Sequence, residues 1–374
     1  MRVALVELYG IGGTADYTAC LAEALGSSGA VVKVVTSALF EPLSEPPAFD
    51  VARAFCYRTE HRKPLKAVLL ALALRRIRAI LETWKPDVIH VQGTVIPSLE
   101  KQLYSVLSGT PLVCTAHDVR SHERRPWLGS LGRFYGVFDW LICHSRASME
   151  QLRCLGLQAP ISVIPHGIYD RLTTSGPGRA EARGRLGLGI NDHVVLLFGY
   201  LRRYKGLDDL LAAVRLAREL GTPLKLVVAG RPLYDVSAAV RRARAWELDV
   251  VWHLEYVPRQ DVVTYFEAAD VVALPYVDTS DSGALELAAA YEKPIVVTST
   301  GGLVEAFARH GLGAVVPPRD PEALATALAG HHHRQTGVSG KNSWTDVATA
   351  THDLYDRVLR ARGTVANAVR TPRS

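Results

Sequence analysis

The chain of 374 residues has no long uninterrupted apolar stretch. Its longest purely apolar run lies near "AVLLALAL", far short of the roughly 20 residues that a membrane-spanning helix needs. The amino terminus, "MRVALVELYG", enters a strand at once and lacks the layout of a secretory signal. A cytoplasmic location is the expectation. Cysteine is scarce: Cys20, Cys56, Cys114, Cys143 and Cys154 are odd in number, scattered, and without C-x-x-C or Cys/His spacing. That excludes a disulfide framework and a thiolate metal site, and it points to buried reduced thiols. No stripe of Lys and Arg with interleaved aromatics occurs, which excludes a nucleic-acid partner. The net charge of +6 is mild and suits an anionic ligand such as a nucleotide.

What is present is a globular composition, 48% hydrophobic and 21% charged, in a chain long enough for two hydrophobic cores. Short apolar runs alternate with helical patterns along its length. In the first half the strand candidates are "RVALVEL", "VVKVVT", "DVIHVQ", "PLVCTA", "WLICHS" and "ISVIP". Runs rich in Val, Ile and Leu, separated by helices, predict strands buried on both faces of a parallel sheet, the doubly wound α/β arrangement. From Tyr169 to about Asn191 the pattern breaks into a Gly-, Arg-, Thr- and Ser-rich stretch with no strand. A second series then follows: "HVVLLFGY", "LKLVVAG", "DVVWHL", "DVVALPY", "PIVVTS" and "GAVVPP". The organisation predicted is a first Rossmann-like domain over 1–168, a second over 169–343, and a terminal helix and tail over 344–374. Asn342 or Ser343 is the candidate N-cap of that helix, and Val347, Leu354, Val358 and Leu359 fall mostly on one face. "HHHRQTG" at 331–337 reads as a loop without a second ligand cluster.

Over 61–83 an amphipathic helix carries Leu70, Leu74, Ile77 and Leu81 at helical spacing, with Lys66, Arg75, Arg76 and Arg78 on a basic side. The ordinary reading is a core-packing helix with a solvated face. The alternative is peripheral contact with a membrane surface.

Four loops at strand ends carry chemistry. "YGIGGTADY" follows the first strand, and Gly10, Gly12 and Ala15 satisfy the loose G-x-G-x-x-G/A pattern. A nicotinamide-binding unit would want an acid ending the second strand, but "VVKVVTSAL" ends in Thr36 and Ser37, so a dehydrogenase loses ground. What remains is a glycine turn whose N–H groups can approach an anionic or hydroxylated ligand. "GYLRRYKGLDDLL" puts Arg202, Arg203 and Lys205 between a strand and a helix, where cations would meet a diphosphate. "CTAHDVRSH" puts His117 and Asp118 at the end of a first-domain strand. His166, in "VIPHG", reads as structural. The last loop, "LPYVDTSDSGALELAAAYEKP", holds Asp278, Asp281 and Glu286 around a Ser-Gly pair.

In order, "GIGG", "TAHD", "VIPHG", "GYLRRYKGLDDLL", "LVVAGRP", "YFEAADVVALPY" and "SGALELAAAYEKPIVVTSTGGLVE" resemble the retaining GT-B glycosyltransferases of the family-4 type, over almost the whole chain. The resemblance implies two Rossmann-like domains facing across a cleft, with a nucleotide-sugar held mainly by the second and an acceptor mainly by the first. Position by position, it implies that Arg202 and Lys205 grip the donor diphosphate. Tyr200 stands where the commoner form has that Arg. Gly12 and Gly13 match the loop that approaches the donor, and His117 matches the His near the transferred sugar. Ser282, Gly283 and Ala284 match the loop whose amides cradle the diphosphate at a helix N-terminus. The family's glutamate pair, eight positions apart, aligns on Thr279 and Leu287. Asp278 and Glu286 share that spacing one residue earlier, so either they take the pair's roles in a shifted register or the pair is absent.

The implied reaction is sugar transfer with retention to a hydroxyl of a glycan, a lipid-linked sugar or a natural product. Arg202, Lys205 and the helix N-terminus would stabilise the departing diphosphate, with UDP slightly favoured over GDP on frequency alone. No D-x-D pair occurs, so neither a metal nor another cofactor is expected. The rival readings are a nucleotide-sugar epimerase of the same architecture and a non-catalytic nucleotide-sugar-binding partner.

Overall fold

The computed structural model describes residues 1–55, 63–117, 119, 128–173, 176–279, 281–330 and 342–370. Cys56, Asp118, Ser280 and the "HHHRQTG" loop lie outside these residues. The chain forms two compact units, Met1–Gly167 with Asn342–Ser374, and Ile168–Lys341.

In the first unit the strands are β1 (Arg2–Val6), β2 (Val31–Ser37), β3 (Asp50–Phe55), β4 (Val88–Gln92), β5 (Leu112–Thr115), β6 (Trp140–Cys143) and β7 (Ile161–Val163). They pair in parallel in the order β3-β2-β1-β4-β5-β6-β7. Val3 to Val6 and most of β4 and β5 are fully buried, as parallel strands covered by helices on both faces must be. Six of the strands lie in the apolar runs named above. β3 does not, because Asp50 and Arg53, both exposed, break up its apolar residues. The helix Lys63–Trp84 buries Leu70, Ala73, Leu74, Ile77 and Leu81 against this core. Leu65, Val68 and Leu72, on its other side, are about half exposed.

The terminal helix Trp344–Arg370 belongs to this unit. Ser343 caps it: its Oγ accepts from Asp346 N at 3.1 Å while the Asp346 carboxylate accepts from Ser343 N at 3.0 Å, a reciprocal capping box. Asn342 instead donates to the Pro165 carbonyl at 2.7 Å. Farther along, Arg362 pairs with Asp139 at 2.7 Å and donates to the Ser108 carbonyl. Cys20, Cys114 and Cys143 are buried thiols, whereas Cys154, at the exposed end of a short helix, is not buried.

The second unit contains β8 (Val194–Phe198), β9 (Lys225–Ala229), β10 (Val250–His253), β11 (Val271–Leu274), β12 (Ile295–Thr298) and β13 (Gly313–Val316). They too are parallel, in the order β10-β9-β8-β11-β12-β13. The Gly- and Arg-rich stretch before β8 forms a helix, Arg179–Arg185. Arg183 explains why this polar segment is ordered. It is 1% exposed, donates to the carbonyls of Ala268, Gly189, Ile190 and Asp192, and pairs with Asp270 at 2.6 Å. One side chain thereby ties the approach to β8 to the start of β11.

Candidate active site

In both sheets the strand order reverses beside the first strand, between β1 and β4 and between β8 and β11. At such a switch point the flanking loops diverge and leave a crevice at the carboxyl ends of the strands. The candidate residues of each unit cluster at its switch point.

In the first unit, β1 leads into the glycine turn through Glu7, which sequence reasoning passed over. Its buried carboxylate accepts from the N–H groups of Tyr9 (2.6 Å) and Gly10 (2.7 Å) and from Thr36 Oγ1 (2.8 Å). Burial pushes the Glu7 carboxyl up to about 7 against these bonds. Gly10 has φ +76, and a Cβ there would run into the Ser37 side chain. Gly12, φ +81, caps the helix Gly13–Ser27, and a Cβ on Gly13 would meet open space. Tyr9 Oη donates to the Thr94 carbonyl at 2.6 Å, joining the loops after β1 and β4.

His117 follows β5 and lies edge-on to Tyr17, centroids 4.6 Å apart. His144 and His166, which follow β6 and β7, each lie 5.0 Å from the same ring, and Trp344 lies 5.1 Å from it. His117 Nε2 is 3.0 Å from Gln92 Oε1, and its Nδ1 is 3.1 Å from His144 Nε2. Burial, then the neighbouring His144, His166 and His90, hold His117 well below the usual imidazole range. Among the described residues no group of three or more His, Cys, Asp or Glu could hold a metal ion; the histidines meet by ring contact and hydrogen bonding. His166 is buried on Tyr17 and Trp344, with Nδ1 2.6 Å from the Gly167 carbonyl.

In the second unit, Gly199 (φ +92) and Gly206 (φ +70) bracket the loop after β8. A Cβ on Gly206 would strike the Pro275 carbonyl, and one on Gly199 would come within 3.1 Å of Lys205 Nζ. Val277 N donates to Tyr204 O at 2.7 Å, so the loops after β8 and β11 are joined. Between them Lys205 is buried, its ammonium donating to the Phe198 carbonyl at 3.0 Å and lying 5.3 Å from the Tyr276 ring. Burial, with Arg202 behind it, pulls Lys205 down to about 7. Among the described residues neither Arg202 nor Lys205 has a carboxylate partner. Arg203 is diverted, its guanidinium over Tyr234 at 4.9 Å.

Ser282 caps the helix Gly283–Ala290 with its Oγ 3.4 Å from Tyr276 Oη. A Cβ on Gly283 would rest 3.5 Å from the Tyr169 ring, and Ala284 is half-buried beside it. Arg202, Lys205, Ser282 and Gly283 therefore share one edge, with the buried Tyr276 between them; that tyrosine ends the run "YFEAADVVALPY", which assigned it no role. The two acids part company. Asp278 is exposed. Glu286 is buried, with Oε1 2.7 Å from Arg309 Nη2 and Oε2 2.8 Å from His310 Nε2 on the helix Leu303–His310.

Residues 11–172 match the model of Glycosyltransferase Family 4, and residues 192–332 match that of Glycosyl transferases group 1. A D-inositol 3-phosphate glycosyltransferase of Kineococcus radiotolerans is 30% identical over 253 residues, 60% of this chain and 58% of that one. A glycogen synthase of Mycobacterium tuberculosis is 28% identical over 395 residues, 92% and 91% of the two chains. The solved structure of HepE from Anabaena with UDP and glucose superposes with a TM-score of 0.73 at 20% identity, covering 95% of this chain and 99% of that one. With two successive family models on its two parallel-sheet units, the chain belongs to the family-4 glycosyltransferases and has the GT-B fold.

Proposed function

We propose that the enzyme transfers a sugar, with retention, from a UDP-sugar to an acceptor hydroxyl. The observation that carries this reading is the pair Arg202 and Lys205, placed at a switch point without a carboxylate partner among the described residues. A buried ammonium lacking a counter-charge is costly unless a ligand supplies one, and a diphosphate supplies two or more. Arg202 as a planar fork and Lys205 as a compact charge grip it, and the amides at Ser282, Gly283 and Ala284 complete the cradle. As the anomeric C–O bond breaks, negative charge grows on the leaving diphosphate, and these groups stabilise it as it forms. For the first unit the reading keeps what the family pattern implies, Gly12 and Gly13 as donor-approaching backbone and His117 as the residue for the transferred sugar. A departing phosphate oxygen takes the proton of the attacking hydroxyl on the same face, so no side-chain base is needed. The bound UDP and glucose of the HepE structure support the choice of nucleotide. Thermal unfolding against UDP, GDP, dTDP and ADP tests it, because a ligand that binds the native state raises the melting temperature. UDP alone is expected to shift it, and a shift with none of the four would refute the reading.

The half-exposed stripe of Leu65, Val68 and Leu72, beside the exposed Arg75, Arg76 and Arg78, supports a second element of this reading. An apolar strip flanked by cations suits an anionic membrane surface, where a lipid-linked acceptor would reside. Among the described residues no helix is long and apolar enough to cross a membrane. Sedimentation with vesicles of anionic lipid, lost in Val68→Asp/Leu72→Asp and absent with zwitterionic vesicles, is the expected result.

A further inference from the structure

His117 is held from two sides by Gln92 and His144, at the ends of the runs "DVIHVQ" and "WLICH", to which no role is assigned above. The bonds around it have a direction, set at the far end. The Ile164 carbonyl can only accept, so His144 Nδ1, 3.0 Å away, carries a proton. With one proton on that ring, His144 Nε2 is a lone pair, and His117 Nδ1, 3.1 Å from it, must donate. The remaining lone pair of His117 is then on Nε2, which faces Gln92 Oε1 at 3.0 Å, two acceptors in opposition. Meanwhile the buried Gln92 Nε2 has no hydrogen-bond partner. A half-turn of the Gln92 amide, exchanging two groups of the same shape, turns the opposed acceptors into a hydrogen bond and gives the unpartnered amine an acceptor.

We propose that Gln92 donates to His117 and His144 accepts from it, so that the chain from Gln92 through His117 and His144 to the Ile164 carbonyl fixes His117 as its Nδ1–H tautomer. Gln92 and His144 are thereby positioning residues of the first unit's switch-point edge. The reverse direction would need a second proton on His144, make His117 the Nε2–H tautomer, and leave Gln92 Nε2 unsatisfied. The burial of His117 among other imidazoles favours the neutral ring that the proposed direction requires. Both ring nitrogens of His117 are committed inside the protein. It meets a ligand through ring edge and backbone, neither giving nor taking a proton. That role rests on the proposed transferase reading, in which the leaving phosphate removes the acceptor's proton.

Long-range proton–nitrogen spectra of the full chain, labelled at histidine nitrogen and assigned with His117→Gln, test the tautomer at neutral pH. A protonated Nδ1 and bare Nε2 on His117 are expected; a protonated Nε2, or protons on both, overturns the proposal. His144→Phe, which removes the acceptor, is expected to abolish the Nδ1–H preference and lower kcat about tenfold, the worth of one hydrogen bond, with nucleotide affinity retained. His144→Gln, which restores an acceptor oxygen, is expected to recover both. Unchanged tautomer and turnover in His144→Phe would overturn the positioning role. The spectrum of the wild-type chain decides the tautomer even if that variant fails to fold, or if no UDP-sugar is turned over, so the two readings fail separately.

Discussion

Lys205→Met removes a buried ammonium and keeps most of its volume. Lys205 falls from its ordinary 10.5 to about 7, first by burial and then by Arg202. Above pH 10.5 the side chain is neutral folded and unfolded, and nothing is lost. As pH falls toward 7 the unfolded chain takes up a proton that the folded chain refuses, and the cost of folding grows. Below 7 it levels off at about 5 kcal/mol, from roughly 1.4 kcal/mol per pH unit. The methionine escapes that cost but forfeits the 3.0 Å bond to the Phe198 carbonyl, a loss of about 1–2 kcal/mol. The variant without ligand is therefore expected to be more stable than wild type by about 3 kcal/mol at pH 6, or about 6–12 °C in melting temperature. The gain should shrink to near zero at pH 9. UDP should reverse the order, because its diphosphate restores the charge on Lys205: wild type gains a thermal shift that the variant lacks. Calorimetric titration at pH 8 in buffers of different ionisation enthalpy should show uptake of about one proton per UDP. A variant that is less stable at pH 6, or that retains the UDP shift, would refute the reasoning.

Glu7 gives the opposite profile. Its folded carboxyl titrates near 7 against an ordinary 4.5, so its ionisation costs the folded state about 3 kcal/mol as pH rises from 4.5 to 7. Urea unfolding of Glu7→Gln should show the variant gaining on wild type by that amount over this interval; a pH-independent difference would rule it out. Arg183→Leu leaves Asp270 and four carbonyls short of a donor and should cost about 3–5 kcal/mol, read by urea unfolding. Glu286→Gln should weaken the ties to Arg309 and His310 and lower the melting temperature, with UDP affinity within about threefold of wild type. A large loss of affinity at unchanged stability would return Glu286 to the nucleotide.

Twelve of the thirteen strands were legible because each lies in a short apolar run, rich in Val, Ile and Leu, set between helical patterns. Asp50–Phe55 was not, since Asp50 and Arg53 interrupt its apolar residues and only Ala54 and Phe55 are buried. Arg179–Arg185 was illegible for a different reason. Its order comes from one guanidinium reaching four carbonyls and a carboxylate, and a sequence does not display such partners. The cations of the loop after β8 were legible because their position after a strand and before a helix is a local pattern. Glu7 announced itself only as an acid in an apolar run, and Tyr276 only as an aromatic ending a strand. Asp278 and Glu286 share the spacing of an acid pair, yet Asp278, in the loop before the helix, is exposed, whereas Glu286, on the helix, faces Arg309 and His310.

The two sheets have the same strand order through their first six strands, and so provide the same address for a ligand, but their edges differ in chemistry. At the first edge burial raises the Glu7 carboxyl and lowers the His117 imidazole, so both are pressed toward their neutral forms. At the second, burial presses on Lys205 while Arg202 stands beside it without a carboxylate among the described residues. Transfer from a nucleotide-sugar asks for this asymmetry. The leaving group gathers charge and needs cations already in place, whereas the acceptor hydroxyl and the sugar are uncharged and need shape and hydrogen bonds. A neutral second edge would leave the growing charge unmet. Fold supplies the two crevices, and in the proposed transferase the difference between a few buried side chains assigns the phosphates to the second.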